Sequence, residues 1–223
     1  MSLTLHHAHP WDLSPEEARR VQRELRREVI VRPLPIGQVR TVGGVDAAFT
    51  GDSLIAAAVV LDLSSLETLE QVAIRQPLEF PYVPGLLSFR EAPGVLAALA
   101  RLKALPDVLI VDGHGLAHPR RLGIACHLGV LLDMPAIGCA KSVLVGEHAP
   151  PENQAGSLAE LADAGEVVGM AVRARTNVRP VYVSVGHRVD LPSAVRLVLA
   201  CGGGYRLPEP TRRADRLAAA EKS

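Results

Sequence analysis

Three hydrophobic patterns recur along the chain, and each predicts a different element. Val108-Leu109-Ile110-Val111 is an unbroken apolar run, as expected of a strand buried on both faces. Residues 69–75 alternate apolar and polar side chains, as a half-buried strand does. Residues 122–132 repeat apolar positions at helical spacing. Two further strands are expected over 42–49 and 54–63, joined by a Gly51-Asp52 turn. With 69–75 they form three successive strands on short connections, which suits antiparallel hairpins.

The remaining segments follow from caps and breakers. Ser14, Pro15, Glu16 and Glu17 open a helix expected to run to about residue 29, where Pro33 and Pro35 exclude continuation. Phe80-Pro81-Tyr82-Val83-Pro84-Gly85 cannot join a central sheet and reads as a rigid surface loop. A second helix is expected over 88–102, with Ser88 as N-cap and Glu91 at the capping-box position. Residues 137–141 read as a short buried strand ending on Lys141, and 147–165 as an exposed excursion. A strand pair over 167–172 and 181–185, a helix over 191–200 closed by glycines, and an Ala-rich last helix complete the chain. The expectation is one α/β domain over 1–223, a mixed central sheet flanked by helices, with 1–12 as a loose tail.

Composition narrows the class. With 3 Phe, 3 Tyr and 1 Trp in 223 residues, the core must be built from aliphatic side chains. Cys126, Cys139 and Cys201 are odd in number and widely spaced, which argues for reduced thiols in a cytoplasm and against a disulfide frame or zinc site. No stretch resembles a signal peptide or a membrane span, so no membrane partner is expected. Basic and acidic residues balance at 24 each, giving no overall attraction to nucleic acid and making a monomer the default. Only Lys103, Lys141 and Lys222 are lysines; arginines gather at 19–27, 120–121, 173–179 and 212–216. Arginine clusters suit phosphate contacts, but the first, interleaved with Glu, reads as a solvated helix face.

Candidate chemistry sits at the end of the buried run. Asp112 closes it and two glycines follow, in Asp112-Gly113-His114-Gly115, with His118, Arg120 and Arg121 close behind. A carboxylate at a strand's carboxyl end, followed by lean backbone, is where open α/β sheets place their sites, although a D-G pair also caps turns. Three antiparallel strands, helix, strand, helix, strand is the topology of ribonuclease H-like nucleases. That topology sets the first and fourth strands side by side, bringing Asp46 to Asp112, with Glu91 above them. Clustered carboxylates repel unless a cation joins them, and oxygen ligands favour Mg²⁺ or Mn²⁺ over zinc. For Glu91 the capping box remains an alternative explanation.

Specific words then point to a family. Gly44-Val45-Asp46, Pro81-Tyr82-Val83-Pro84-Gly85 with Phe89-Arg90-Glu91, and Asp112-Gly113-His114-Gly115-Leu116-Ala117-His118-Pro119-Arg120 resemble endonuclease V, the deoxyinosine 3′-endonuclease. So do Gly123 with His127-Leu128-Gly129, Gly138 with Lys141, and Tyr205-Arg206-Leu207-Pro208-Glu209-Pro210 before Arg213-Ala214-Asp215. The resemblance implies a ribonuclease H-like fold and Mg²⁺-dependent hydrolysis of the second phosphodiester 3′ to deaminated adenine, leaving 3′-hydroxyl and 5′-phosphate ends. It implies Asp46, Asp112, Glu91 and Asp215 as metal ligands and Lys141 as a catalytic cation, where a strand-end surface lysine is the alternative. His118 and Arg90 resemble residues near the cut phosphate. Tyr82 resembles the wedge that fills the gap left by a flipped base, with Gly85, Gly113 and Arg120 on the substrate side. Phe49 departs from the Tyr of many relatives, and the N-terminal His6, His7 and His9 have no counterpart in the resemblance. The implied partner is inosine-containing DNA, with inosine in RNA, mismatches or flaps as alternative substrates and a non-cutting inosine sensor as the alternative class.

Overall fold

The computed structural model describes residues 3–222. Eight strands form one mixed sheet: β1 (Thr41–Thr50), β2 (Ser53–Asp62), β3 (Thr68–Pro77), β4 (Val108–Val111), β5 (Ala136–Ala140), β6 (Leu158–Asp163), β7 (Glu166–Val172) and β8 (Val181–His187). Their order is β3-β2-β1-β4-β5-β8-β7-β6. β1, β4 and β5 run parallel at the centre, and the antiparallel hairpins lie outside them, as expected for β1 to β3. β4 is buried along its whole length: Val108 and Ile110 pack into one core, Leu109 and Val111 into the other.

Among the described residues, five α-helices cover the two faces: α1 (Pro15–Leu25), α2 (Leu87–Leu99), α3 (Ile124–Leu132), α4 (Leu191–Ala200) and α5 (Glu209–Ala220). Val95, Leu96 and Leu99 of α2 pack with Ile124, Leu128 and Leu131 of α3 on one face. Ala18, Val21 and Leu25 of α1, Val195 and Val198 of α4, and Ala214 and Ala218 of α5 pack on the other. α1 begins as its sequence implies, with Ser14 and Glu17 closing a reciprocal capping box behind Pro15.

Three local expectations are revised. α2 starts one residue before Ser88, its N-cap is Leu86 without a side-chain bond, and the buried Ser88 hydroxyl has no partner among the described residues. The excursion over 147–165 contains β6, an edge strand paired antiparallel with β7. Its exposed, mixed-polarity positions carry no strand period of their own, because an edge strand needs only one partner. The expected loose tail over 1–12 lies, within the described residues, against the body of the protein. His6 N donates to Leu131 O at 2.8 Å, and His9 packs edge-on against Trp11 with ring centroids 4.5 Å apart. His9 Nε2 also meets Nε2 of the fully buried His127 at 2.7 Å. Residues 1 and 2 of that tail lie outside the described residues.

Candidate active site

The central parallel strands bring the first two acids together. β4 stops at Val111, opposite Val45, so Asp112 emerges beside Asp46 in the middle of β1. Asp215 arrives from α5, which lies so close to β1 that a Cβ on Gly44 would stand 2.1 Å from the Pro210 carbonyl. Only glycine admits that approach. One carboxylate oxygen from each of Asp46, Asp112 and Asp215 falls within 4.8 Å of the others. Glu91, with no cap to serve, is buried and close enough to feel the charges of Asp46 and Asp112.

Lys141 answers part of this charge. Its Nζ stands 2.5 Å from Asp112 Oδ2 and 3.6 Å from Asp215 Oδ1. Arg206 steadies the backbone beneath it, donating from Nη2 to Lys141 O at 2.5 Å and to Pro180 O at 2.9 Å. Partial burial alone would lower the Lys141 ammonium, but the hydrogen bond and charge of Asp112, then Asp215 and Asp46, carry it above its ordinary value. The acids remain under-compensated. Burial first, and then the Asp112 charge, raise Asp46 to about 7. Burial, followed by Asp46 and Asp112, raises Glu91 to about 8. Asp112 is raised as well, by burial, against the pull of Lys141. An oxygen-only donor set carrying more negative charge than one ammonium balances fits a hard divalent cation. Asp46, Asp112 and Asp215 could hold it.

Beside the acids opens a cavity of about 280 Å³. Ser142 and His114 line one part of it, next in sequence to Lys141 and two residues from Asp112; His114 Nε2 donates to Ser142 O at 2.9 Å. The loop from Tyr82 to Gly85 lines another, with Tyr82 71% exposed at its tip. Gly85 holds a positive φ of 76° and points its carbonyl inward, where three donors converge. Gln22 Nε2 donates at 3.0 Å, His118 Nε2 at 3.0 Å and Arg120 Nη2 at 2.7 Å. Arg120 Nε also donates to Gln22 Oε1.

The expected site residues therefore fall into two groups. Asp46, Glu91, Asp112, Lys141 and Asp215 gather around one another. Tyr82, Gly85, His118 and Arg120 belong to the loop and its clamp. His118 accepts from Arg120 N at Nδ1 and donates from Nε2 to Gly85, so both ring nitrogens are engaged in the neutral form. Burial, then the neighbouring Arg120 cation, push its pKa down to about 4. Arg90 turns to the loop, donating to Phe80 O at 2.9 Å and lying over the Phe49 ring at 4.5 Å. Gly113 stands behind the cavity wall, where a Cβ would meet Ile124 at 2.6 Å. Gln22 escaped the sequence reading. Its signal was a polar side chain on the buried stripe Ala18, Val21, Leu25, a place that demands hydrogen-bond partners.

Comparison with known proteins decides what this geometry belongs to. The endonuclease V family model matches residues 23–216. The chain belongs to the endonuclease V family. It is an endonuclease, a phosphodiester hydrolase of the DNA-repair class. It is 59% identical over 209 residues to endonuclease V of Roseiflexus sp. strain RS-1, covering 94% of each chain. To endonuclease V of Nostoc sp. strain PCC 7120 it is 49% identical over 218 residues, 97% of this chain and 99% of the other. The crystal structure of the Streptomyces avermitilis enzyme superposes with a TM-score of 0.90 at 47% identity, over 95% of this chain and 94% of that one. A Ciona intestinalis endonuclease V, solved with a 24mer DNA containing an inosine followed by a ribo-adenosine, superposes with a TM-score of 0.83 at 29% identity. That match covers 92% of this chain and 96% of the Ciona chain. No helix among the described residues is long and apolar enough to cross a membrane.

Proposed function

We propose that this chain recognises deoxyinosine in DNA and hydrolyses the second phosphodiester on its 3′ side, using Mg²⁺, with Mn²⁺ as a substitute. The observation that carries the reading is the adjacency of the acidic cluster to a base-sized cavity roofed by an exposed aromatic loop. The cavity stands near the lower end of small-ligand pockets, roughly 300 Å³, which suits one flipped base better than a stretch of strand. Extruding a base costs a few kcal/mol, and less for a mispaired one such as hypoxanthine. Tyr82, held out by flanking prolines, stacks in the gap the base leaves. The Gly85 clamp keeps that loop in place, so little ordering entropy is lost when it inserts. The inosine DNA held by the Ciona relative supports the same substrate class.

Asp46, Asp112, Glu91 and Asp215 would hold the cation, which when bound supplies Lewis acidity for water and phosphate. Lys141 keeps its proton and offers a fixed positive charge where negative charge grows at the scissile phosphate. His118 and Arg120 act on the substrate side, through the loop. The three cysteines are buried and free, in keeping with a reducing, cytoplasmic setting, and the chain acts as a monomer. The ribo-adenosine after the inosine in the Ciona complex favours a second reading, cleavage beside inosine in RNA.

One assay separates these. Oligonucleotides differing only at one position, inosine or adenine, in DNA and in RNA form, are incubated with Mg²⁺ or EDTA. A Mg²⁺-dependent nick at the second 3′ bond of the inosine DNA alone is expected. Equal cutting of the adenine control, or cutting in EDTA, would sink the proposal; preference for the RNA would favour the second reading.

A further inference from the structure

With 24 basic and 24 acidic residues and an acidic centre, the chain has no net charge to draw in a polyanion. Attraction must be local. Arg19 and Arg23 of α1 stand at i and i+4, the helical spacing that shares a face, and Arg19 lies at i−3 from Gln22. Gln22 binds both Gly85 O and Arg120, so this face abuts the clamp of the Tyr82 loop. Among the described residues neither Arg19 nor Arg23 has an ion-pair partner, whereas Arg20 turns away to Glu24 at 3.9 Å. Burial, then the charges of Arg19 and Arg23, hold the Arg120 guanidinium below its ordinary value, as expected of cations crowded without an anion. The sequence alone suggests a solvated face here; the fold sets that face beside the substrate loop.

We propose that Arg19 and Arg23, together with Arg120, form a phosphate-binding patch for the inosine strand on the 5′ side of the lesion. The side follows from order along the surface and rests on the inosine reading above. The bond to be cut lies 3′ of the base, at the carboxylates. The base occupies the cavity, whose lining runs from Ser142 and His114, beside the acids, to Gln22 and Gly85, beside the arginines. A strand crossing in that order presents its 5′ phosphates to α1. Guanidinium groups suit those oxygens, and each phosphate neutralised releases counterions.

The test is binding of the full chain to a duplex carrying one inosine, in Ca²⁺, across a salt series. Arg19→Gln/Arg23→Gln should flatten the slope of log Kd against log salt by roughly 0.9 per arginine. The double Lys variant should keep the wild-type slope, and Arg20→Gln should leave it unchanged. Neutral methylphosphonates placed 5′ of the inosine should flatten the wild-type slope more than that of the Gln variant, which keeps only Arg120 of the patch. An unchanged slope in the Gln variant overturns the patch. If methylphosphonates on the 3′ side or on the complementary strand, rather than those 5′ of the inosine, remove the difference in slope between wild type and the Gln variant, the assignment to the 5′ flank is overturned. If the wild-type chain binds inosine and plain duplex alike, the inosine reading fails, and the slope difference still decides whether the arginines bind phosphate.

Discussion

Lys141 shows how one side chain can be assigned a role by what surrounds it. Its ammonium is gripped by Asp112 and Asp215, and Arg206 holds its carbonyl from behind. A cation fixed in this way costs no reorganisation when charge develops on a phosphate, whereas a mobile surface lysine would bind ground and transition states alike. Lys141→Ala should therefore lower single-turnover cleavage of inosine DNA by roughly 10²-fold or more. Binding in Ca²⁺ should change little. Weaker binding with a normal rate at saturation would demote Lys141 to an anchor. Ser88 offers a contrast. As an N-cap, its loss would cost about 1 kcal/mol. In the structure its hydroxyl is buried without a partner among the described residues, so Ser88→Ala should leave the melting temperature unchanged or raise it. A clear loss would restore the capping role, and with it a competing use for Glu91.

At the level of elements, the centre depends on how closely α5 lies on β1. The approach is possible because Gly44 has no Cβ; an added methyl would collide with Pro210 and stand 2.7 Å from Thr211 N. Backbone cannot yield as a side chain tip can, so the helix must lift. Gly44→Ala should destabilise by about 1–3 kcal/mol, as overpacked cores do, which is roughly 2–10 °C in melting temperature at this size. The same lift moves Asp215 away from Asp46 and Asp112, so cleavage should fall further than stability explains. A variant that melts and cuts like wild type would mean the helix and strand are not in contact there. The parallel pair β1–β4 acts in the same way from within the sheet, since its register sets which residue of β1 stands beside Asp112.

Over the whole molecule, the acidic centre links stability to pH and to metal. Asp46 rises from 3.8 to about 7 and Glu91 from 4.5 to about 8. Between those limits the folded chain keeps protons that the unfolded chain releases, so the unfolded state binds fewer and stability falls as pH rises. The contribution is whole below the unfolded values and lost as pH climbs through 7 and 8. In metal-free buffer the melting temperature should drop between about pH 5.5 and 8.5. A difference of a few kcal/mol corresponds to roughly 5 °C or more. Glu91→Gln should flatten the fall, and Mg²⁺ at the upper pH should reverse it. A melting temperature independent of both pH and Mg²⁺ would contradict the under-compensated cluster.

Much of this was legible in local pattern. The run from Val108 to Val111 declared a buried strand, Ser14 with Glu17 declared a helix start, and the acids at 46 and 112 could be paired once the strand order was recognised. Such signals are short-range: a period, a cap or a breaker reports on its own few residues. The words around Asp46, Asp112 and Lys141 carried the family because each binds a backbone conformation and a side chain into one short stretch. What the sequence could not show was which distant faces would meet. Gln22 reaches Gly85 across 63 residues and Leu122 across 100, and only packing brings them to hydrogen-bond distance. The fate of Glu91, the docking of His9 against His127 and the passage of Arg19 and Arg23 from an ordinary helix face to the rim of the loop were settled in the same way. A side chain's local pattern sets its element, but its charge and its hydrogen bonds act on whatever the folded chain places within a few ångströms, and that is a property of the tertiary structure alone.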